Sequence, residues 1–297
     1  MKTTPKNDTL PRRAALLAPA SPFAEPHLLE QSINALNSLG FEPVVYESAR
    51  ATSGYLAASD EVRARDLTDA FLDDGIDAIF CTRGGYGCMR LLPLLDYGSI
   101  AAHPKPLIGL SDITALHLAL YHRSGLRTLH APMPFRYPAL PETAMRRLKA
   151  VLNGRDGACY TREDGIFPIH GGRVTAPMIG GNLTLVASLL ASDYCPDFSG
   201  HVLFLEEVGE EEYRIDRLLT TLSLAGVFDA VCGVVFGGFT DCGSEEKIRR
   251  ILAERIPEHL PTLGGFSAGH LKNNHAFREG GTVTLNATDS TLLFHPQ

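Results

Sequence analysis

Between Pro106 and Arg123 a short apolar run, a serine–aspartate pair and a helical pattern follow one another without a break. Pro106 to Leu110 suits a buried strand. From Ile113, apolar residues recur at Leu116 and Leu120 with Ala115 and Ala119 beside them, which is helical spacing. Ser111 and Asp112 fall at the turn between strand and helix, and Gly109 relieves crowding two residues earlier. A serine placed there points its hydroxyl out of the sheet. The first N–H groups of the next helix lack intrahelical partners and are free to hold an anion. Acyl transfer asks for that combination, a nucleophile beside donors for a tetrahedral oxyanion. The same residues also fit an ordinary helix start, because Ser and Asp are preferred N-caps. The second glycine of Gly-x-Ser-x-Gly is missing, so the usual nucleophile elbow is not spelled out.

A serine nucleophile needs a base, and the base needs an orienting carboxylate. Among eleven histidines, His270 is the best placed: it follows a strand-like run and a glycine and sits in a polar loop with Lys272, Asn273 and Asn274. A structural or merely exposed histidine fits that loop as well. Glu206 follows the apolar run Val202–Leu205, where a strand's end can hold a charge in a cleft. The five acids between 206 and 212 equally fit a solvated loop. Thr82-Arg83-Gly84-Gly85-Tyr86-Gly87 is a glycine-rich turn that lets backbone approach a ligand. It lacks both Gly-x-Gly-x-x-Gly and Gly-Lys-Ser/Thr spacing, which argues against a nucleotide loop, and it also fits a simple tight turn.

The elements that must position these groups alternate. Ala14–Leu17, Phe41–Tyr46 and Ile76–Cys81 read as strands, with helical patterns over His27–Leu39 and from Ser59 to Asp74 between them. Strand–helix alternation predicts an α/β fold with a parallel sheet and helices on its faces. Glu142–Leu152 reads as a helix. From Asn153 to Pro177, Gly, Asp, Pro and His dominate and periodicity is lost. We therefore divide the chain into an N-terminal α/β domain (1–154), a linker (155–177) and a C-terminal mixed α/β domain (178–297). In the last part His201–Leu205 and Val231–Phe236 read as strands, Tyr213–Leu224 and Ser244–Ile256 as helices, and Thr282–Leu285 with Thr291–Phe294 as a terminal hairpin. Residues 1–11 read as a loose tail.

The composition narrows the function. A net charge of −7 over 297 residues, with no basic patch to outweigh the acidic run, argues against a nucleic-acid partner. No apolar run reaches the roughly 18–20 residues of a membrane span. Arg12-Arg13 followed by Ala14–Ala20 faintly resembles a signal peptide, but the apolar part ends at Pro19 and serves better as a first strand. The six cysteines contain no Cys-x-x-Cys pair, which speaks against structural zinc, and Cys81 and Cys232 lie in strand-like runs. A reducing, cytoplasmic setting is the simpler reading.

Taken in order, Arg83-Gly84-Gly85-Tyr86-Gly87, Gly109-Leu110-Ser111-Asp112, Gly180-Gly181-Asn182-Leu183, Leu205-Glu206-Glu207 with Tyr213-Arg214-Ile215-Asp216-Arg217, Gly237-Gly238-Phe239 and Gly269-His270 span nearly the whole chain. In this set and order the sequence resembles the LD-carboxypeptidase family of serine peptidases, which includes murein tetrapeptide carboxypeptidases and microcin C immunity peptidases. The resemblance implies a triad of Ser111 as nucleophile, His270 as base and Glu206 as orienting acid. It places the backbone oxyanion donors on Gly85 and Asp112, at an interface between two domains. It implies no metal and no cofactor, and a homodimer. The expected activity is removal of the terminal D-alanine from a murein tetrapeptide at an L,D bond. The alternatives are a microcin-immunity-type peptidase acting on peptidyl-nucleotide conjugates and a non-catalytic muropeptide binder. The absence of tryptophan lowers the first, because a base wants an aromatic platform. Exopeptidase action also needs a cradle for a free carboxylate; Arg83 and Arg214 are conceivable and neither is assigned.

Overall fold

The computed structural model describes residues 12–296, so the tail expected over residues 1–11 lies outside the described residues. Strands β1 (Arg12–Leu17), β2 (Phe41–Val45), β3 (Ala78–Cys81), β4 (Leu107–Gly109) and β5 (Leu129–His130) form a parallel sheet in the order β2-β1-β3-β4-β5. Helices His27–Ser38, Asp60–Leu72 and Thr114–Ser124 alternate with them. The strands are almost wholly apolar because both faces are covered. Leu17, Ile79 and Leu116 belong to one buried cluster, and Leu16, Phe80 and Ile108 to the opposite one. The strand order reverses between β1 and β3. Open parallel sheets bind ligands at the carboxyl ends of strands beside such a reversal. There the loops after β1 and β3 are joined, with the Ser21 N–H donating to the Gly84 carbonyl at 3.2 Å.

A second sheet follows. It contains β6 (Ala158–Tyr160), β7 (Phe167–His170), β8 (Arg173–Asn182), β9 (Val202–Val208), β10 (Gly233–Thr240) and β11 (Thr262–Gly264). The strand β12 (Phe277–Arg278) instead returns to the first sheet, antiparallel to β5. The chain closes with β13 (Gly281–Asn286) and β14 (Thr291–Phe294), the expected hairpin. Strands β8 to β11 run parallel in sequence order, and antiparallel strands flank them on both sides.

Segment 155–177 is not bare connection, as the sequence suggested. It supplies β6 and β7, the two outermost strands of the second sheet. Strands of three and four residues are too short to show a period, and Pro168 is tolerated in β7 because that strand is an edge. Two further strands are longer than their apolar runs. β9 continues through both glutamates to Val208, and β10 through Gly237 and Gly238 to Thr240.

The two sheets share a core: Leu17, Ile79 and Leu116 lie in the same buried cluster as Ile179, Leu203 and Leu219. At the junction the helix Thr114–Ser124 docks on β8. The Asn182 N–H donates to Thr114 Oγ1 at 3.0 Å, and any side chain at Gly181 would collide with that hydroxyl. The motif Gly180-Gly181-Asn182 thus makes room for the element that follows Ser111. Among the described residues no helix is long and apolar enough to cross a membrane.

Candidate active site

Ser111 follows β4 and opens a 3₁₀ turn, Ser111–Ile113, that leads directly into the helix Thr114–Ser124. Its backbone has φ +67°, the left-handed region that non-glycine residues seldom adopt. Such a conformation costs of order 1–3 kcal/mol and persists where the surroundings enforce it. Gly84 is one of those surroundings: a Cβ there would lie 2.7 Å from Ser111 Cβ and 2.9 Å from its Oγ. Ser111 does not cap the helix. The positions before the turn and before the helix are Leu110 and Ile113, and neither makes a side-chain cap. The geometry is that of a strand–turn–helix elbow despite the missing second glycine.

Asp112 is buried beside it, and its carboxylate accepts from the Cys88 N–H at 2.7 Å. Cys88 begins the short helix that follows the glycine-rich turn. The side chain of Asp112 therefore ties the serine turn to the turn that carries Gly85. Burial raises its carboxyl above the usual range, while the Cys88 hydrogen bonds oppose the rise.

His270 lies in the loop after β11, and its Nδ1 meets Glu206 Oε2 at 2.8 Å. The His270 backbone N–H reaches the same oxygen at 3.2 Å. An ionised carboxylate only accepts, so this pairing calls for the proton on Nδ1, and in the neutral ring Nε2 then carries the lone pair. Gly269, at φ +103°, permits this contact; a Cβ there would come within 2.5 Å of Glu206 Oε2. The loop is also held by the Gly269 N–H, which donates to Asn274 Oδ1 at 3.2 Å. Gly237 and Gly238 leave space for it, since side chains there would run into Ala268 and Leu271.

Glu206 is fully buried, and its other oxygen, Oε1, has no hydrogen-bond partner among the described residues. Glu207 is buried too but turned away. It accepts from Asn182 Nδ2 (2.7 Å), Thr184 N (2.9 Å), Thr184 Oγ1 (2.8 Å) and Val208 N (2.9 Å). Of the two adjacent glutamates, Glu206 alone contacts the histidine.

Ser111, His270, Gly84, Gly85 and Gly269 all line one cavity of about 250 Å³. It opens where the carboxyl ends of both parallel sheets meet. Its remaining walls include Met133, Phe135 and Leu271.

These pieces match known proteins. The sequence profile of the LD-carboxypeptidase N-terminal domain covers residues 14–131, and that of the C-terminal domain residues 175–285. The chain belongs to the LD-carboxypeptidase family. It is a serine carboxypeptidase. It is 35% identical over 288 residues to the murein tetrapeptide carboxypeptidase of Pseudomonas aeruginosa, covering 92% of each chain. It is 28% identical over 287 residues to the microcin C7 self-immunity protein of Escherichia coli, covering 85% of this chain and 83% of that one. The crystal structure of muramoyltetrapeptide carboxypeptidase from Oxalobacter formigenes superposes with a TM-score of 0.83 at 25% identity, covering 95% of this chain and 97% of that one.

The carboxypeptidase cavity also carries cationic groups, of which the sequence had raised Arg83 without assigning it and had not singled out Arg136. Arg83 and Lys272 line it, and so does Arg136 from the 3₁₀ segment Pro134–Ala139, which has no periodicity to betray it. Arg214, the other arginine raised from sequence, is not part of this lining. It lies on the helix Glu212–Leu224, against Glu210 and Glu211 at 3.4 and 3.7 Å.

Proposed function

We propose that this LD-carboxypeptidase removes the terminal D-alanine of a murein tetrapeptide by a metal-independent Ser-His-Glu mechanism. Residues 1–154 would supply the nucleophile and residues 178–297 the acid and base. The observation that carries the reading is the 2.8 Å contact between His270 Nδ1 and buried Glu206, made at the wall of the cavity that Ser111 also lines. The likeness to the murein tetrapeptide carboxypeptidase of Pseudomonas aeruginosa supports the substrate class.

His270 Nε2 takes the Ser111 hydroxyl proton as Oγ bonds to the scissile carbonyl carbon. The oxyanion is held by the backbone N–H groups of Gly85 and Asp112. As the C–N bond breaks, the imidazolium gives its proton to the departing amine of D-alanine. Water, deprotonated by His270, then cleaves the acyl ester and regenerates Ser111. Glu206 keeps Nδ1 protonated and stabilises the transient imidazolium.

The test is D-alanine release from purified murein tetrapeptide in the presence of EDTA. Wild type releases it, and Ser111→Ala lowers kcat by roughly 10⁴–10⁶, as loss of a triad nucleophile does. A fall of less than tenfold would remove Ser111 from the mechanism. Absence of release by wild type would remove the substrate assignment.

A further inference from the structure

The cavity's lining includes three cationic side chains, Arg83, Arg136 and Lys272, and no carboxylate. Other arginines of this chain, such as Arg65, Arg90 and Arg249, are neutralised by nearby acids. Among the described residues the three in the cavity have no such partner. An unneutralised cationic wall in an acidic protein is a feature that attracts an anion.

The three are not equivalent. Lys272 is exposed, and Arg136 is exposed with its guanidinium 5.6 Å from the Phe135 ring centre. Arg83 is half-buried, and its Nη1 donates to the Pro22 carbonyl at 2.8 Å. That bond anchors one corner of the guanidinium. It is the only hydrogen bond of Arg83 among the described residues, and it leaves the Nε–Nη2 edge unengaged. This edge can meet a carboxylate through two parallel N–H···O bonds. Arg83 also lies two residues before Gly85, the proposed oxyanion donor. A group one residue beyond the scissile carbonyl is within reach of a side chain of that length.

We propose that Arg83 reads the free α-carboxylate of the substrate's C-terminal residue, with Arg136 and Lys272 supplying the field that draws it in. The inference rests on the carboxypeptidase reading above and adds the origin of its exopeptidase specificity. A free C-terminus pairs with Arg83. An internal peptide bond at the same place leaves a half-buried guanidinium unpaired, so it is rejected as well as unattracted.

The probes are the tetrapeptide acid and its C-terminal amide, titrated by calorimetry into Ser111→Ala, which binds without turnover. The acid binds roughly ten- to a hundredfold more tightly than the amide, the range expected for a hydrogen bond to a charged group. Adding Arg83→Gln brings that ratio to within about threefold, whereas Arg83→Lys, which keeps the charge but loses the fork, retains part of it. Equal affinity for acid and amide in Ser111→Ala, or an unchanged ratio in Arg83→Gln, overturns the proposal. A purely structural role for Arg83 would weaken both ligands alike and leave the ratio alone. N-acetyl-D-alanine and its amide, titrated in parallel, separate this result from the murein assignment. Discrimination between them that depends on Arg83 keeps the subsite even where tetrapeptide is not a substrate, and its absence overturns the subsite.

Discussion

Glu206 and Glu207 are adjacent on β9, and strand alternation sends their carboxylates to opposite faces. One meets His270; the other receives four hydrogen bonds from Asn182, Thr184 and Val208. Their substitutions should fail differently. Glu206→Gln keeps the shape but removes the charge that orients and stabilises the imidazolium, and kcat should fall on the order of 10³–10⁴-fold with thermal stability nearly intact. Glu207→Ala leaves buried donors without an acceptor, and urea unfolding should show a loss of about 2–4 kcal/mol with kcat per folded molecule little changed. The reverse pattern would exchange the two assignments. The end of the apolar run and the family resemblance pointed to Glu206; the physical difference from Glu207, the face each carboxylate takes, is visible only in the fold.

At the scale of elements, the site is a meeting of turns. The Ser111 turn, the glycine-rich turn and the loop after β11 are each held by specific contacts: the Asp112 bond to the Cys88 N–H, the close approach of Gly84, and the two hydrogen bonds of His270 to Glu206. Gly84→Ala tests how tightly the serine is gripped. Its new methyl would stand 2.7 Å from Ser111 Cβ, so either the serine or the glycine-rich turn beside it has to shift. A displacement of about 1 Å costs roughly 10²-fold in kcat, with no comparable change in unfolding midpoint. Activity within threefold of wild type would show that the turn is compliant. The helix Glu142–Leu152 was readable to the residue from its periodicity. The edge strands β6 and β7 were not, because three or four residues carry no pattern that a loop lacks.

At the scale of the whole molecule, the seam between the sheets buries ionisable groups. His130 stacks on Phe277 with ring centres 4.8 Å apart, across the pairing of β5 with β12. His117 Nε2 reaches the Gly109 carbonyl at 3.0 Å, and the Gly180 N–H donates to Glu279 Oε2 at 3.0 Å. Burial pushes the His117 imidazole down from 6.5 to about 4 and His130 well below its ordinary value. The unfolded chain then binds more protons than the fold in that window. Stability is full above pH 6.5 and falls as pH drops toward 4, by up to about 1.4 kcal/mol per pH unit for each histidine. Glu279 acts oppositely. Burial lifts its carboxyl well above 4.5, so the fold holds this proton to higher pH than the unfolded chain does. Its contribution is full below pH 4.5 and declines as pH rises past that value. Denaturant unfolding between pH 4 and 8 separates the two. His117→Gln should flatten the acid-side loss, and Glu279→Gln the decline above pH 4.5. Curves parallel to wild type would show that neither group titrates differently on unfolding.

The sequence alone determined what is local or ordered along the chain. Alternating strand and helix patterns specified an α/β protein. Apolar run, turn and helical spacing placed Ser111 at a turn between strand and helix, and the order of the motifs specified the family. These signals repeat every two to four residues, or survive as short words, and need no distant partner. Tertiary structure decided the rest. It set Glu206, the acid the family resemblance implied, against His270, kept Arg83 at the cavity and Arg214 away from it, drew β12 back into the first sheet, and gave Gly181 its reason in Thr114. Glu206 and His270 are 64 residues apart, and Asn182 and Thr114 are 68 apart. No period links such positions. They meet because two amphipathic layers have one arrangement that buries both apolar faces, and that packing sets which side chains share a cavity.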